Sequence, residues 1–283
     1  MFNKITIFGV GLIGASFALA MKKNGLCKEI TGFGRNRGNL SKAKERGIID
    51  SFALEPEDAC KGAELIFLST PVGSFVELAR RSVPSLSSGA IVTDAGSVKG
   101  NLVYEMEKIM PGNVHYIGAH PIAGSDRSGI DSSNPELFMK AKCIITPTEH
   151  SDEGALKTVT EVWKSLGAEV VTMGPDRHDS IYAFVSHLPH VIAYSLVNTV
   201  AEKDGSYFEF CGQGFKDITR IASSSPELWR DICLLNRENL LETISLFQKN
   251  LEALSQYLRA YDADSLEREF VKARTLREGL GQN

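Results

Sequence analysis

Cysteine is sparse and unpatterned. Five of them, Cys27, Cys60, Cys143, Cys211 and Cys233, are spread over 283 residues, odd in number and without a C-x-x-C pair. That excludes a disulfide framework and fits free thiols in a reducing cytoplasm. A cysteine-based zinc site is not expected. His187 and His190 also lack a cysteine or acidic neighbour at helical spacing, so no metal is expected. There is no basic tract and no interleaving of aromatic with basic residues. The balance is 31 Lys+Arg against 35 Asp+Glu, a net charge of −4. Nucleic acid is therefore not an expected partner. No uninterrupted run of about 18 apolar residues occurs, so no membrane span is expected. The N-terminal MFNKITIFGV has no cationic segment followed by a long apolar run and a cleavage site. It reads as a strand, not a signal peptide. Internal repeats and low-complexity segments are absent as well.

What is present is core-forming material. A hydrophobic content of 43% in 283 residues supports one large or two ordinary domains. Short β-rich runs at 4–10, 29–34, 64–70, 90–96, 114–120, 142–147 and 168–173 alternate with helical patterns such as 12–24 and 97–110. Near-continuous apolar strands alternating with helices predict a parallel sheet covered on both faces. The pattern changes near residue 174. Residues 1–174 read as a Rossmann-type α/β domain and 175–283 as an all-α domain, with helices over 179–203 and 226–260. Ser225 and Pro226 start the latter as cap and first residue. Ile244, Phe247, Leu251, Leu254 and Leu258 form an apolar stripe along it. Two uses of that stripe stay open: burial between two subunits, or packing within one chain.

Gly9, Gly11 and Gly14 form G-x-G-x-x-G after the strand ITIF and ahead of an apolar helix. In that context the glycines give a tight turn, a close approach to pyrophosphate and close helix–strand packing. The helix N-terminus, at Leu12 and Ile13, offers free N–H groups and a positive dipole end to phosphates. A dinucleotide is the expected cofactor. An NAD site usually has an acid about 20 residues further on, on the ribose 2′-OH. Here that region reads GRNRG, with Arg35, Asn36 and Arg37. Guanidinium groups pair with a 2′-phosphate, so NADP is favoured and NAD stays possible. The alternative use of these arginines is a solvated loop.

Ligands in open α/β sheets bind beyond the carboxyl ends of strands. Ser69, Thr70 and Pro71 end one strand where cofactor ribose and pyrophosphate should run. Ser97, in TDAGSVK, either caps the next helix or faces the cofactor ring. His120, in GAHPIAG, ends a further strand among small residues. An imidazole there can take a hydroxyl proton near neutral pH. In SHLPH, Ser186 and His190 share one helix face, and Pro189 should loosen the helix. Arg220 could clamp a carboxylate or form a surface ion pair; Trp229 follows it.

GVGLIGAS, DAGSVK, GAHPIAGSDRSG, SHLPH and FKDITRIASSSPELW together resemble the prephenate/arogenate (cyclohexadienyl) dehydrogenase family over residues 5 to about 250. The resemblance implies oxidative decarboxylation of a cyclohexadienol with hydride transfer to NADP, in tyrosine biosynthesis, by a homodimer joined through the helical domains. It implies His120 as the catalytic histidine and Ser97 as the serine orienting the substrate hydroxyl and the nicotinamide. It further implies Ser186, His190, Arg220 and Trp229 in the substrate pocket, and a structural role for His178 and Asp179. Asp126, in the loop after His120, would attract the ammonium of arogenate over the keto acid of prephenate; pairing with Arg127 is its other use. The 283 residues leave no expected room for a regulatory module or fused mutase. Two rivals remain: another reductase of the same build with Lys216 as its lysine, and a non-catalytic NADP sensor.

Overall fold

The computed structural model describes residues 1–124 and 129–280. In chain order the elements are β1 (Phe2–Phe8), α1 (Leu12–Lys23), β2 (Cys27–Phe33), α2 (Arg37–Glu45), β3 (Ser51–Ala53), α3 (Pro56–Cys60), β4 (Leu65–Leu68), α4 (Phe75–Ser82), β5 (Ile91–Asp94), α5 (Gly100–Ile109), β6 (His115–Pro121), β7 (Lys142–Thr146), α6 (Glu153–Ser165) and β8 (Glu169–Thr172). The helical part follows as α7 (Pro175–Tyr182), α8 (Leu188–Asp204), α9 (Gln213–Thr219), α10 (Pro226–Leu235), α11 (Arg237–Arg259) and α12 (Ala263–Glu278). The chain forms two compact units, residues 1–237 and 238–283.

The first unit holds one eight-stranded sheet in the order β3-β2-β1-β4-β5-β6-β7-β8. Its middle follows the doubly wound pattern of nucleotide-binding sheets. Alternate residues of each strand serve opposite faces. Ile5, Ile7, Leu65 and Phe67 pack into one core with Phe17 of α1 and Trp163 of α6. Phe8, Ile66 and Leu68 pack into the other with Phe75 of α4 and Val103 of α5. Both faces being covered is why the strands read as apolar throughout. The Phe17 and Phe67 rings stack at 4.0 Å in the first core.

The sheet departs from the expected all-parallel form at one place. β6 and β7 are antiparallel, with His120 opposite Ile144, and β7 and β8 are parallel again. A parallel pair needs a crossover, usually helical. The described residues between β6 and β7 hold no α-helix, only a short helical turn, Ile130–Ser132, and further turns over 134–141. The three-residue β3 is an addition to the strands read from the sequence.

Two helical expectations also change. The run expected over 179–203 starts earlier, at Pro175, and widens into a π-turn over Ala183–His187 before α8. The helix expected over 226–260 breaks at Asn236 (φ −106°, ψ 32°), which closes α10. The Asn236 side chain is used elsewhere, as described below. The continuous helical run 175–210 contains a window of mean hydropathy 1.3, apolar enough to cross a membrane by length and composition, with 17% of it buried. Counting uninterrupted apolar residues missed it. Within this run His178 bonds to His120 and His187 to Asn236.

The second unit comprises the remainder of α11 and α12. Asp262 caps α12 by accepting from the Ser265 amide. Along α11, Leu251 and Leu258 of the apolar stripe stand 48% and 63% exposed.

Candidate active site

The glycine loop is shaped by what a side chain would collide with. Gly9 has φ +89°, and a Cβ there would sit 2.7 Å from the Ser69 carbonyl oxygen; one on Gly14 would sit 2.2 Å from the Gly9 carbonyl oxygen. Both clashes come from the close approach of β1, α1 and the end of β4. Gly11 differs. It is the N-cap of α1, makes no side-chain cap, and has nothing within 4 Å of a Cβ position. The helix therefore opens with its first amides, Leu12 and Ile13 among them, uncapped by a side chain beside free space. That geometry fits a dinucleotide pyrophosphate.

The rim is tied to this loop. Ser69 Oγ donates toward the carbonyls of Phe8 and Gly9 at 3.0 and 2.9 Å. Thr70 pairs with Ser74 at 2.8 Å, and the Pro71 carbonyl accepts from Ser74 Oγ. Arg35, Asn36 and Arg37 are exposed at the end of β2. Asn36 accepts from the Asn39 amide and so caps α2, while Asn39 Nδ2 donates to the Val10 carbonyl at 2.8 Å. The arginine loop is thus anchored to the glycine loop.

His120 lies on β6, 8% exposed. Its Nδ1 is 2.8 Å from Nε2 of His178, and Nδ1 of His178 is 2.8 Å from Oδ1 of Asp179. The Lys99 amide donates to the same Asp179 oxygen at 2.7 Å. Tyr182 stacks on His178, with centroids 4.4 Å apart, and tilts against His120 at 4.9 Å. Beneath them Asp94, on β5, accepts from Tyr116 OH, from the Gly96 amide and from the amide of Ala119, the residue before His120. Lys99 Nζ bonds to Asp94, both side chains being fully buried. A buried pair with every oxygen occupied meets the condition for keeping charge in a core. Burial pushes the imidazole of His120 well below its ordinary range and that of His178 down to about 2; neighbouring Lys99 adds to both. Both rings are neutral at physiological pH.

The helical part joins this network. Asn236 Nδ2 donates to the Asp179 carbonyl at 2.8 Å and lies 3.0 Å from Nδ1 of His187. The His187 ring is held down to about 4, mainly by burial, with the Ser97 backbone against it. His187 meets Trp229 edge-on at 6.0 Å, and Trp229 stacks on His190 with centroids 3.4 Å apart. His190 Nδ1 donates to the Ser186 carbonyl across the π-turn, at 2.9 Å. π-turns are common at functional sites, and here Pro189 lacks the amide that a regular ladder would use.

Of the residues singled out from sequence, His120, Ser186, His190 and Trp229 thus lie along one connected path. Ser97 is half-buried and does not cap α5, which begins at Gly100 with Lys99 before it. Arg220 is exposed, on a single turn Arg220–Ser223. Asp126 lies outside the described residues. Sequence reasoning missed Lys99, Asp94, Asn236 and Tyr182, weighed His187 only as a metal ligand, and read His178 and Asp179 as structural. The acid closing the apolar strand IVTD and the lysine five residues on were the available signal, since buried charges come in pairs.

A sheet with an uncapped helix end over a glycine loop, followed by helices that bring histidines to its strand ends, defines a Rossmann-type nucleotide-binding protein with a helical second domain. Comparison with known proteins narrows the class. Residues 17–172 match the prephenate dehydrogenase nucleotide-binding domain and residues 174–272 the prephenate dehydrogenase dimerization domain. The chain belongs to the prephenate dehydrogenase family. It is 34% identical to the prephenate dehydrogenase of Bacillus subtilis over 99% of this chain and 76% of that one. Prephenate dehydrogenase from Aquifex aeolicus, solved with hydroxyphenyl propionate and NAD+, superposes with a TM-score of 0.92 at 38% identity, covering 98% of both chains. Synechocystis arogenate dehydrogenase gives 0.80 at 31% identity, covering 97% of this chain and 99% of its own.

Proposed function

We propose that this protein oxidises and decarboxylates prephenate, arogenate or both, yielding 4-hydroxyphenylpyruvate or tyrosine. The observation that carries this is His120. It is a neutral, almost buried imidazole at a strand end whose Nδ1 is engaged by His178, leaving Nε2 without a partner among the described residues. A bound nicotinamide dinucleotide supplies the hydride acceptor. His120 Nε2 takes the proton of the ring 4-hydroxyl as the C4 hydride departs. The resulting ketone is an electron sink for the breaking carbon–carboxylate bond, so CO2 leaves and the ring becomes aromatic. Ser97 orients the hydroxyl. His190, stacked on Trp229, and Ser186 line the pocket, and Arg220 binds a substrate carboxylate.

Three refinements belong to the same proposal. Arg35 and Arg37, exposed at the end of β2 with no acid between them, favour NADP, although a relative at 38% identity is described with NAD+. Asp126 favours arogenate through its ammonium. Two copies pair through the helical domain, 175–283, in a cytoplasmic enzyme. The exposure of Phe184, Val185, Leu251 and Leu258 supports the pairing, as does the match of 174–272 to a dimerization domain.

Absorbance at 340 nm tests the whole reading, with prephenate or arogenate and either NADP+ or NAD+. Turnover with arogenate and NADP+ is the expected result. Turnover with prephenate and NAD+ alone keeps the reaction and removes both specificity refinements. No turnover in any mixture, from folded protein that binds dinucleotide, overturns the proposal.

A further inference from the structure

We propose that His178 and Asp179 are positioning residues for His120: the Asp179 carboxylate fixes the proton on Nδ1 of His178, and His178 fixes the proton on Nδ1 of His120, so that Nε2 of His120 is held as an acceptor. This deepens the reading above and rests on it for the chemistry.

Each proton along the relay is fixed by the acceptor before it. An ionised carboxylate only accepts, so the 2.8 Å contact between Asp179 Oδ1 and His178 Nδ1 places a hydrogen on that nitrogen. A neutral imidazole carries one N–H, so His178 Nε2 is a lone pair. It faces His120 Nδ1 at 2.8 Å, which must therefore be the donor. His120, neutral as well, is left with its lone pair on Nε2. One carboxylate thus sets two tautomers in series. Either ring in the other tautomer would bring two donors or two lone pairs face to face.

The far end of the relay is built to stay still. The Lys99 amide holds the Asp179 oxygen at 2.7 Å, and Asn236 holds the Asp179 carbonyl. Gly100 makes the room, since a Cβ there would lie 2.5 Å from Asp179 Oδ2. Tyr182, stacked on His178 and tilted on His120, restricts rotation of both rings. Asp94 fixes the strand at Ala119. The charged and titratable groups around the relay are Lys99 and Asp94 from the β5 end, Cys143 from β7, and Asp176, His187 and Tyr182 from the helical run. Burial raises the Asp179 carboxyl to about 6. The relay thus has its acceptor above that pH and loses it below.

The test uses the full chain labelled with 15N-histidine, in long-range 1H–15N correlation spectra at pH 7.5, and needs no substrate. His120 and His178 should both show a protonated Nδ1 and an unprotonated Nε2. In Asp179→Ala, no acceptor is left for a hydrogen on Nδ1 of His178, so both rings should relax to Nε2–H, the tautomer that a free neutral imidazole favours. The kcat should then fall about 10²- to 10⁴-fold, the range of a lost general base, with KM within about threefold. A merely structural role would leave the tautomer of His120 unchanged. Nε2–H on His120 in the unsubstituted protein overturns the relay even if Asp179→Ala does not fold. So does an Asp179→Ala protein that keeps both tautomer and kcat. If the reaction is misread, the protein will be inactive with its tautomers intact. If the relay is misread, an active enzyme will show the other tautomer.

Discussion

The indole of Trp229 lies against the imidazole of His190, ring centroids 3.4 Å apart and planes 20° from parallel. The contact joins α10 to α8 on the helical side of the site. His190 has its Nδ1 committed to the Ser186 carbonyl, which leaves its Nε2 as the ring nitrogen a ligand could use.

Trp229→Phe keeps an aromatic ring in the core but shrinks the stack. An aromatic pair of this kind contributes about 0.5–1.5 kcal/mol beyond buried area. The substrate KM should rise about two- to tenfold, with kcat within about twofold. Steady-state kinetics on the folded variant checks this. An unchanged KM with a large fall in kcat would place Trp229 in the chemical step instead.

Gly11→Ala and Gly14→Ala should fail in different ways. Nothing lies within 4 Å of a Cβ at Gly11, so that variant should fold normally and lose dinucleotide affinity, because the methyl occupies the space the pyrophosphate enters. At Gly14 the Cβ would meet the Gly9 carbonyl oxygen at 2.2 Å and Ser69 Oγ at 2.5 Å. Overpacking of that kind costs about 1–3 kcal/mol, or a Tm lower by about 2–12 °C for a chain of this size. Thermal unfolding and dinucleotide titration of both variants separate the two effects. A Gly11→Ala protein that binds dinucleotide like the parent would remove the pyrophosphate from that loop.

The buried histidines give stability a pH dependence of definite sign. Folding holds His178 down to about 2 and His187 to about 4, while the unfolded chain protonates each near pH 6.5. Below that pH the unfolded state binds more protons, so stability falls as pH falls. His120, also held low, acts in the same direction. Asp179, raised to about 6, opposes this between about pH 6 and 4, and one group against three leaves the direction unchanged. Tm should be lower at pH 5 than at pH 7.5. A flat or inverted dependence would mean the imidazoles are not buried neutral.

The parts of this structure that could be read in advance are those fixed by local chemistry. Gly9 and Gly11 follow a strand and Gly14 lies in the first turn of the helix after it, the pattern of a phosphate loop. His120 stands at a strand end with small neighbours. The direction of β7 was not legible, because a strand buried on both faces looks the same whichever way it runs. Nor was the break at Asn236 within an apolar helical stretch. The Asn236 side chain there bonds the Asp179 carbonyl, 57 residues away, which no local pattern shows. His178 and Asp179 read as structural because no spacing rule connects them to His120, 58 residues earlier. The fold brings α7 against the end of β6, and only then does a histidine followed by an acid become a relay.

The most direct test of the account is His120→Asn, which removes the acceptor Nε2 while keeping a polar group near the position of Nδ1. With the substrate and dinucleotide that the parent enzyme turns over, absorbance at 340 nm should show kcat reduced at least about 10²-fold. The dissociation constant for the dinucleotide, measured by titration, should stay within about twofold, since the glycine loop is untouched. A variant that binds dinucleotide normally and turns over within tenfold of the parent would contradict the assignment of His120 as the base.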